Sequence, residues 1–292
     1  MSLIPEANDV GPLIEVQNLW VRYQMRYLSM DAVRGVSFSL GREKLAIVGE
    51  SGSGKSTVGR ALLRLLSENA SIAADKMRFG DIDLLNASER KMQKVRGARI
   101  SMILQDPKYS LNPVITVGEQ IAEAYRVHYK VGRNDARQRT LKMLEAVKIR
   151  SPERVYDLYP HQVSGGMGQR VMIAMMLIAE PDVIIADEPT SALDVTVRLQ
   201  VLAILDDLVR ERGIGLIFIS HDLNLVRSFC DRVVIMYGGQ VMETIAAKDL
   251  DNVQHPYSRG LLNSLPSLDA RRDILPVLSR DPEWMKLKEA GA

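Results

Sequence analysis

Between Gly49 and Thr57 the chain reads GESGSGKST, three glycines and four hydroxyl residues around a single lysine. Such a run lets the backbone curl until the N–H groups of Ser51, Gly52, Ser53 and Gly54 face one anion. Lys55 then adds a point charge at a β/γ-phosphate, and the Ser56 hydroxyl, followed by Thr57, suits Mg²⁺. The spacing satisfies G-x-x-x-x-G-K-[ST] at Gly49, Gly54, Lys55 and Ser56. Far downstream, the apolar run VIIAD ends in Asp187 and is followed by Glu188. Mg²⁺ takes few carboxylates and keeps waters, which makes Asp187 its candidate partner beside Ser56. Glu188 is the candidate to orient or deprotonate a water that attacks a γ-phosphate. As residue types, both acids also read as exposed strand-end charges; an apolar strand running straight into them favours a site. A second glycine turn, Ser164-Gly165-Gly166, opens an apolar helix without any lysine. Its free N–H groups form another anion site, with no ligand assigned by the chain itself.

Elements must place these groups. The segments Leu13–Tyr23, Ala32–Leu40 and Lys44–Gly49 alternate as strands do. The last feeds the glycine loop, and Lys55–Leu66 continues as a helix with Val58, Leu62, Leu65 and Leu66 on one side. A polar, helix-rich middle follows, in which Asn134 is placed to cap one helix and Ser151-Pro152 to open another. Asp182–Asp187 and Gly215–Ser220 read as further strands. The helix between them takes Val195, Leu199, Leu202, Leu205 and Leu208 as its core stripe and Gly213 as its stop. A hairpin turning at Gly238-Gly239 comes next. Past Ala246 the chain is mixed and proline-punctuated, an appended tail.

The bulk numbers agree with an ordinary globular chain. Its 292 residues are 46% hydrophobic and 25% charged, and 38 basic against 36 acidic residues leave a net charge of +2. No global field points to nucleic acid, and Arg137 and Arg139 read as solvated helix positions. The longest apolar run, Val171–Ala179, falls short of the ~18 residues of a membrane span. The first residues lack an export pattern, so a cytosolic protein is expected. A single cysteine, Cys230, excludes an internal disulfide framework and a multi-cysteine metal site.

Taken in order, these segments resemble the ATP-binding cassette ATPases, from Leu13 to about Ile245. The resemblance implies an α/β fold: a P-loop NTPase core with a mixed sheet and helices, an antiparallel β subdomain, and an inserted helical subdomain at about 108–178. It assigns Tyr23 to the adenine, although a packing role competes for that tyrosine. Gln105 would touch Mg²⁺ and the attacking water, and His221 the γ-phosphate; on residue type alone they read as a loop glutamine and a structural histidine. Asp194, in SALD, falls in the loop that crosses between paired cassettes, and also reads as a helix-turn acid. The SGG turn becomes the signature motif, which holds the ATP bound to a second cassette facing head to tail. The signature itself reads VSGGMGQR, with Gly168 where one branch has arginine, which implies a slower or looser closure.

GESGSGKST, QDPKYSLNP, SGGMGQRVMIAM, DEPTSALDVTV and HPYSRGLLNSLP together resemble the ATPase subunits of bacterial peptide, opine and nickel importers. This implies ATP and Mg²⁺ as ligands, two membrane-spanning permeases, a second ATPase subunit that is identical or paralogous, and, indirectly, an extracytoplasmic solute-binding protein. The site of work would be the cytoplasmic face of the bacterial inner membrane, held peripherally, with no nucleic acid partner. Residues 246–292 would form the importer-type extension. It lacks the cysteines that often follow in this branch, so no iron–sulfur cluster is expected. Two other readings remain: a soluble cassette ATPase, and a nucleotide-gated interaction subunit uncoupled from transport.

Overall fold

The structure, a computed structural model, describes residues 11–104, 110–191, 193–264, 281 and 284. Two sheets organise it. The first is antiparallel, built on the long strands β1 (Ile14–Gln24) and β2 (Ser29–Leu40). The far edge of β1 is shared by β4 (Ala70–Ala73) and β5 (Lys76–Phe79), and β6 (Ile82–Asp83) closes the row beyond β5.

The second sheet has six strands. Its parallel part runs β10 (Arg232–Tyr237), β3 (Lys44–Val48), β9 (Gly215–Ser220), β8 (Val183–Asp187) and β7 (Ile100–Ile103). The edge strand β11 (Gln240–Ala246) returns antiparallel on β10 after the Gly238-Gly239 turn. Every residue of β3, β7, β8 and β9 is buried, as expected for parallel strands covered on both faces. Alternation then divides one strand between two cores. Leu45 and Ile47 pack with the antiparallel sheet and with helix α1 (Lys55–Leu62), whereas Ala46 and Val48 pack into the helical side.

Between β6 and β7 lies α2 (Glu89–Val95), capped by Ser88. After β7 come α3 (Val117–His128), α4 (Arg133–Ala146), α5 (Pro152–Tyr156) and α6 (Gly165–Leu177), which pack on one another. The apolar run starting at Val171 is the buried stretch of α6. Helix α7 (Val195–Arg212) precedes β9, α8 (Leu223–Phe229) precedes β10, and α9 (Pro256–Asn263) follows the last strand. No helix among the described residues is long and apolar enough to cross a membrane.

The fold class is the α/β arrangement the sequence implies, with local corrections. Helix α1 stops at Leu62 because Arg64 takes a left-handed backbone conformation, with φ 52°. Leu65 is therefore exposed rather than part of the helix stripe. Helix α4 starts after Gly132, whose carbonyl receives the Ala136 N–H, so Asn134 lies inside the first turn and caps nothing. In α7 the buried face is Val201, Leu202, Ile204, Leu205, Leu208 and Val209. Val195 and Leu199 are exposed; at 100° per residue they sit roughly 100–140° around the helix from the Val201–Leu205 centre of that face.

Candidate active site

Three neighbouring strands end at the same edge of the parallel sheet, where such sheets present their ligand crevice. β3 runs into the glycine loop, β8 into Asp187 and Glu188, and β9 into Ser220 and His221. Register locks the three together: Val48 pairs with Ser220, Asp187 with Ile219, and the Glu188 N–H donates to the Ile219 carbonyl at 3.0 Å.

The loop closes around its lysine. Lys55 Nζ donates to the carbonyls of Gly49 and Glu50, both at 2.8 Å, and reaches Ser53 Oγ at 3.5 Å. Gly54 opens α1 at φ 95°, with the Ala32 carbonyl oxygen only 2.4 Å from where a Cβ would stand. No L side chain fits there. Having no side chain, Gly54 also gives α1 no side-chain cap, so the first N–H groups of the helix are left for a ligand.

Burial pulls Lys55 below the ordinary lysine value, while Glu188, Asp187 and Glu50 pull it back. Asp187 moves the other way: burial raises its carboxyl, opposed by the Ser56 hydroxyl and Arg60. Ser56 Oγ donates to Asp187 Oδ1 at 2.7 Å, and Arg60 lies 4.0 Å from the other carboxylate oxygen. A hydroxyl and a carboxylate side by side, one of them buried, form the hard oxygen pair that Mg²⁺ favours. The donor set fits that ion.

Glu188 sits at φ 47°, left-handed for a residue with a full side chain, the kind of strain that collects at working sites. Its carbonyl accepts from the Ser191 N–H at 3.3 Å and the Ser191 hydroxyl at 3.2 Å. Its Oε1 lies 3.1 Å from His221 Nδ1. Arg198 and Asp222, 3.2 Å apart, stand behind this pair in a small pocket that both acid and histidine line.

A cleft of about 400 Å³ joins these parts, lined by Tyr23, Met30, Ala32, Ser51, Gly52, Gly54, Lys55, Ser56, Thr57 and Glu188. Tyr23, partly buried, and Glu188 both line it. Met30 and Ala32 were not expected from the sequence. Met30 is the cross-strand partner of Tyr23, a neighbour visible only once the β1–β2 register is known.

The remaining candidates stand apart. Ser164 caps α6, its Oγ accepting from the Met167 N–H at 3.3 Å. Ser164 and Gly165 are exposed and do not line the cleft. Gly166 runs so close to α7 that a Cβ would fall 2.6 Å from Val197 Cγ1. Gly168 is buried, and its N–H makes the first-turn bond to the Ser164 carbonyl at 2.8 Å. Next to it, buried Gln169 donates its side-chain amide to the carbonyl of Pro189, the residue after Glu188. Asp194 caps α7 through the Val197 N–H at 3.0 Å and is exposed. Gln105 lies outside the described residues.

Comparison with known proteins identifies the family. The family described as "ABC transporter" matches residues 33–191. The chain is 46% identical over 274 residues to the glutathione import ATP-binding protein GsiA of Escherichia coli O1:K1 / APEC, covering 91% of this chain and 44% of that protein. It is 44% identical over 270 residues to a Brucella melitensis biotype 1 protein named as a peptide import ATP-binding protein, covering 92% and 81%. The chain thus spans less than half the length of the GsiA relatives it matches. Among solved structures it resembles the ATP-binding cassette MJ0796 in a dimeric post-hydrolysis state with ADP and Pi (TM-score 0.69, 27% identity, 80% of this chain and 98% of that one). It also resembles cbiO1 from Clostridium perfringens, part of the ABC transporter complex cbiONQ (TM-score 0.67, 28% identity, 82% and 91%). The family match spans residues 33–191 and the two import relatives cover 91% and 92% of the chain: the chain belongs to the ATPase family of ABC transporters.

Proposed function

We propose that this chain hydrolyses ATP to power a membrane importer for peptides or related small solutes. The observation that carries the proposal is the single cleft from Tyr23 to Glu188. It brings together a base platform, a phosphate loop, the Ser56 hydroxyl that donates to Asp187, and a water-orienting acid. The glutathione and peptide import names of the relatives supply the transport class.

In this reading Tyr23 stacks on the adenine, and the N–H groups of Ser51–Thr57 with Lys55 hold the phosphates. Ser56 and Asp187 would hold Mg²⁺, with Gln105 as a further proposed ligand, and the ion would supply neutralisation of the phosphate charge. Glu188, fixed by its backbone bonds, orients the attacking water, and His221 shares its carboxylate while facing the γ-phosphate. Ser164, Gly165 and Gly166 serve the ATP of a second chain arranged head to tail, with Asp194 near that crossing. Hydrolysis then requires two chains to close, which converts phosphate chemistry into motion. Gly168, without the arginine of the related branch, slows or loosens that closure.

In this reading the chain works at the cytoplasmic face of the bacterial inner membrane, on two permeases served by an external binding protein. The test is co-purification of the tagged chain from gently solubilised membranes of its native host, with the companions identified by mass spectrometry. Two multi-span permeases, with or without a second cassette, are expected. Recovery with ribosomes, with nucleic acid or alone would overturn the transport assignment while leaving the ATPase chemistry to be tested separately.

A further inference from the structure

The stretch His255-Pro256-Tyr257, which in the sequence only marked a branch, packs against the phosphate loop. Two acceptor bonds hold it in place: Glu243 on β11 receives the N–H groups of Gln254 at 2.8 Å and His255 at 3.1 Å. Tyr257 is fully buried. Its ring lies 4.6 Å from that of Tyr237 and 5.9 Å from that of Trp284. Trp284 in turn lies 6.0 Å from both Tyr237 and His255. These are ordinary edge-on and tilted aromatic spacings, so the tail holds Tyr257 in one place.

At the inner end of this cluster the Tyr257 hydroxyl accepts a hydrogen bond from the Glu50 backbone N–H at 3.3 Å. Glu50 is the second residue of the loop. Its carbonyl accepts from Lys55 Nζ at 2.8 Å and from the Ser53 N–H at 3.2 Å. One residue therefore joins the tail on its amide side to the phosphate-binding lysine on its carbonyl side.

We propose that Tyr257 is a positioning residue for the phosphate loop, through which the C-terminal extension sets the affinity of the site for ATP. The inference rests on the reading of the cleft as an ATP site. Removing the hydroxyl leaves the aromatic packing intact but takes the acceptor from Glu50. The loop then samples conformations in which the Glu50 carbonyl no longer steadies Lys55, and ordering it on binding weakens the complex.

The experiment titrates a fluorescent ATP analogue into the full-length wild type, Tyr257→Phe and Trp284→Leu, alongside kcat at saturating ATP and melting without nucleotide. Tyr257→Phe is expected to raise Kd about five-fold, the size of one ordinary hydrogen bond, with kcat within about two-fold of wild type. Trp284→Leu is expected to lower the melting temperature and to shift Kd less than Tyr257→Phe does. Wild-type binding with an unchanged Kd in Tyr257→Phe overturns the inference alone; so does a pattern in which both variants only melt earlier. No binding by the wild type overturns the ATP reading and this inference with it. If Tyr257→Phe does not fold, hydrogen exchange at the Glu50 amide of the nucleotide-free wild type decides: slow exchange supports the bond, and exchange as fast as in an open loop overturns it.

Discussion

Two glycine turns open helices in this chain, and they end differently. The loop before α1 is enclosed: Lys55 is buried, Gly54 is pressed against the Ala32 carbonyl, and no side chain caps the helix start. The turn before α6 is open, with nothing within 4 Å of where a Cβ of Gly165 would stand, and Ser164 caps the helix with its own hydroxyl. The same local device, a helix N-terminus offering N–H groups, is thus closed around a buried lysine at one place, and at the other is exposed at Ser164 and Gly165 while Gly166 packs on α7. The Ser164 cap satisfies part of that helix start from within the chain, whereas the start of α1 has no such cap.

The sharpest way to break this comparison is at the enclosed end. Glu188→Gln is expected to cut turnover about 10²- to 10⁴-fold, the usual weight of a positioned acid–base group, while ATP binding is retained. Single-turnover phosphate release beside analogue binding measures both, and normal turnover would remove Glu188 from the chemistry. Lys55→Ala comes next, weakening binding itself by about ten-fold or more, as loss of a charge-assisted contact should. A variant that bound normally but turned over slowly would contradict that assignment.

Ser164→Ala probes the open end. It is expected to lose about ten-fold in turnover, with ATP binding to a single chain unchanged. On the proposal that each site is split between two chains, mixing Ser164→Ala with Glu188→Gln restores one whole site in every mixed pair, about a quarter of the wild-type sites for random pairing of identical chains. No recovery on mixing would show that the open turn serves its own chain.

The smallest effect concerns stability. Burial raises the Asp187 carboxyl in the folded state, so the nucleotide-free fold is favoured at low pH. It loses that contribution as pH climbs from the unfolded value, about 3.9, through the raised folded one. Asp187→Asn has no charge to bury. Its melting temperature should exceed that of wild type at neutral pH by about 1–3 °C, and the gap should close on acidification. A gap that widens toward acid would reverse the sign.

Much of this was legible in the sequence because short-range rules carry it. The phosphate loop, the strand ahead of Asp187, the helix start at Ser164-Gly165-Gly166 and the Gly238-Gly239 turn each depend on residues within a few positions of one another. What escaped was set by distance. The strands β4, β5 and β6 are short, β4 and β5 pair with β1 from far along the chain and β6 pairs with β5, and their local pattern is weak. The α7 stripe was misjudged at Val195 and Leu199 because several leucine rows fit one helix, and the sheet beneath decides which is buried. Met30 and Tyr257 reach the cleft and its loop only through register and packing, and Gln169 meets Pro189 twenty residues away.

The one cysteine has a practical consequence. Cys230 is buried at the end of α8, and burial pushes its thiol up to about 12. At neutral pH it is almost wholly the unreactive thiol. Maleimide and spin-label reagents should pass it by, so the natural chain serves as its own blank background. A cysteine placed at an exposed position outside the site, such as Val127 on α3, can then carry a probe alone, and the proposed closing of two chains can be followed as a distance.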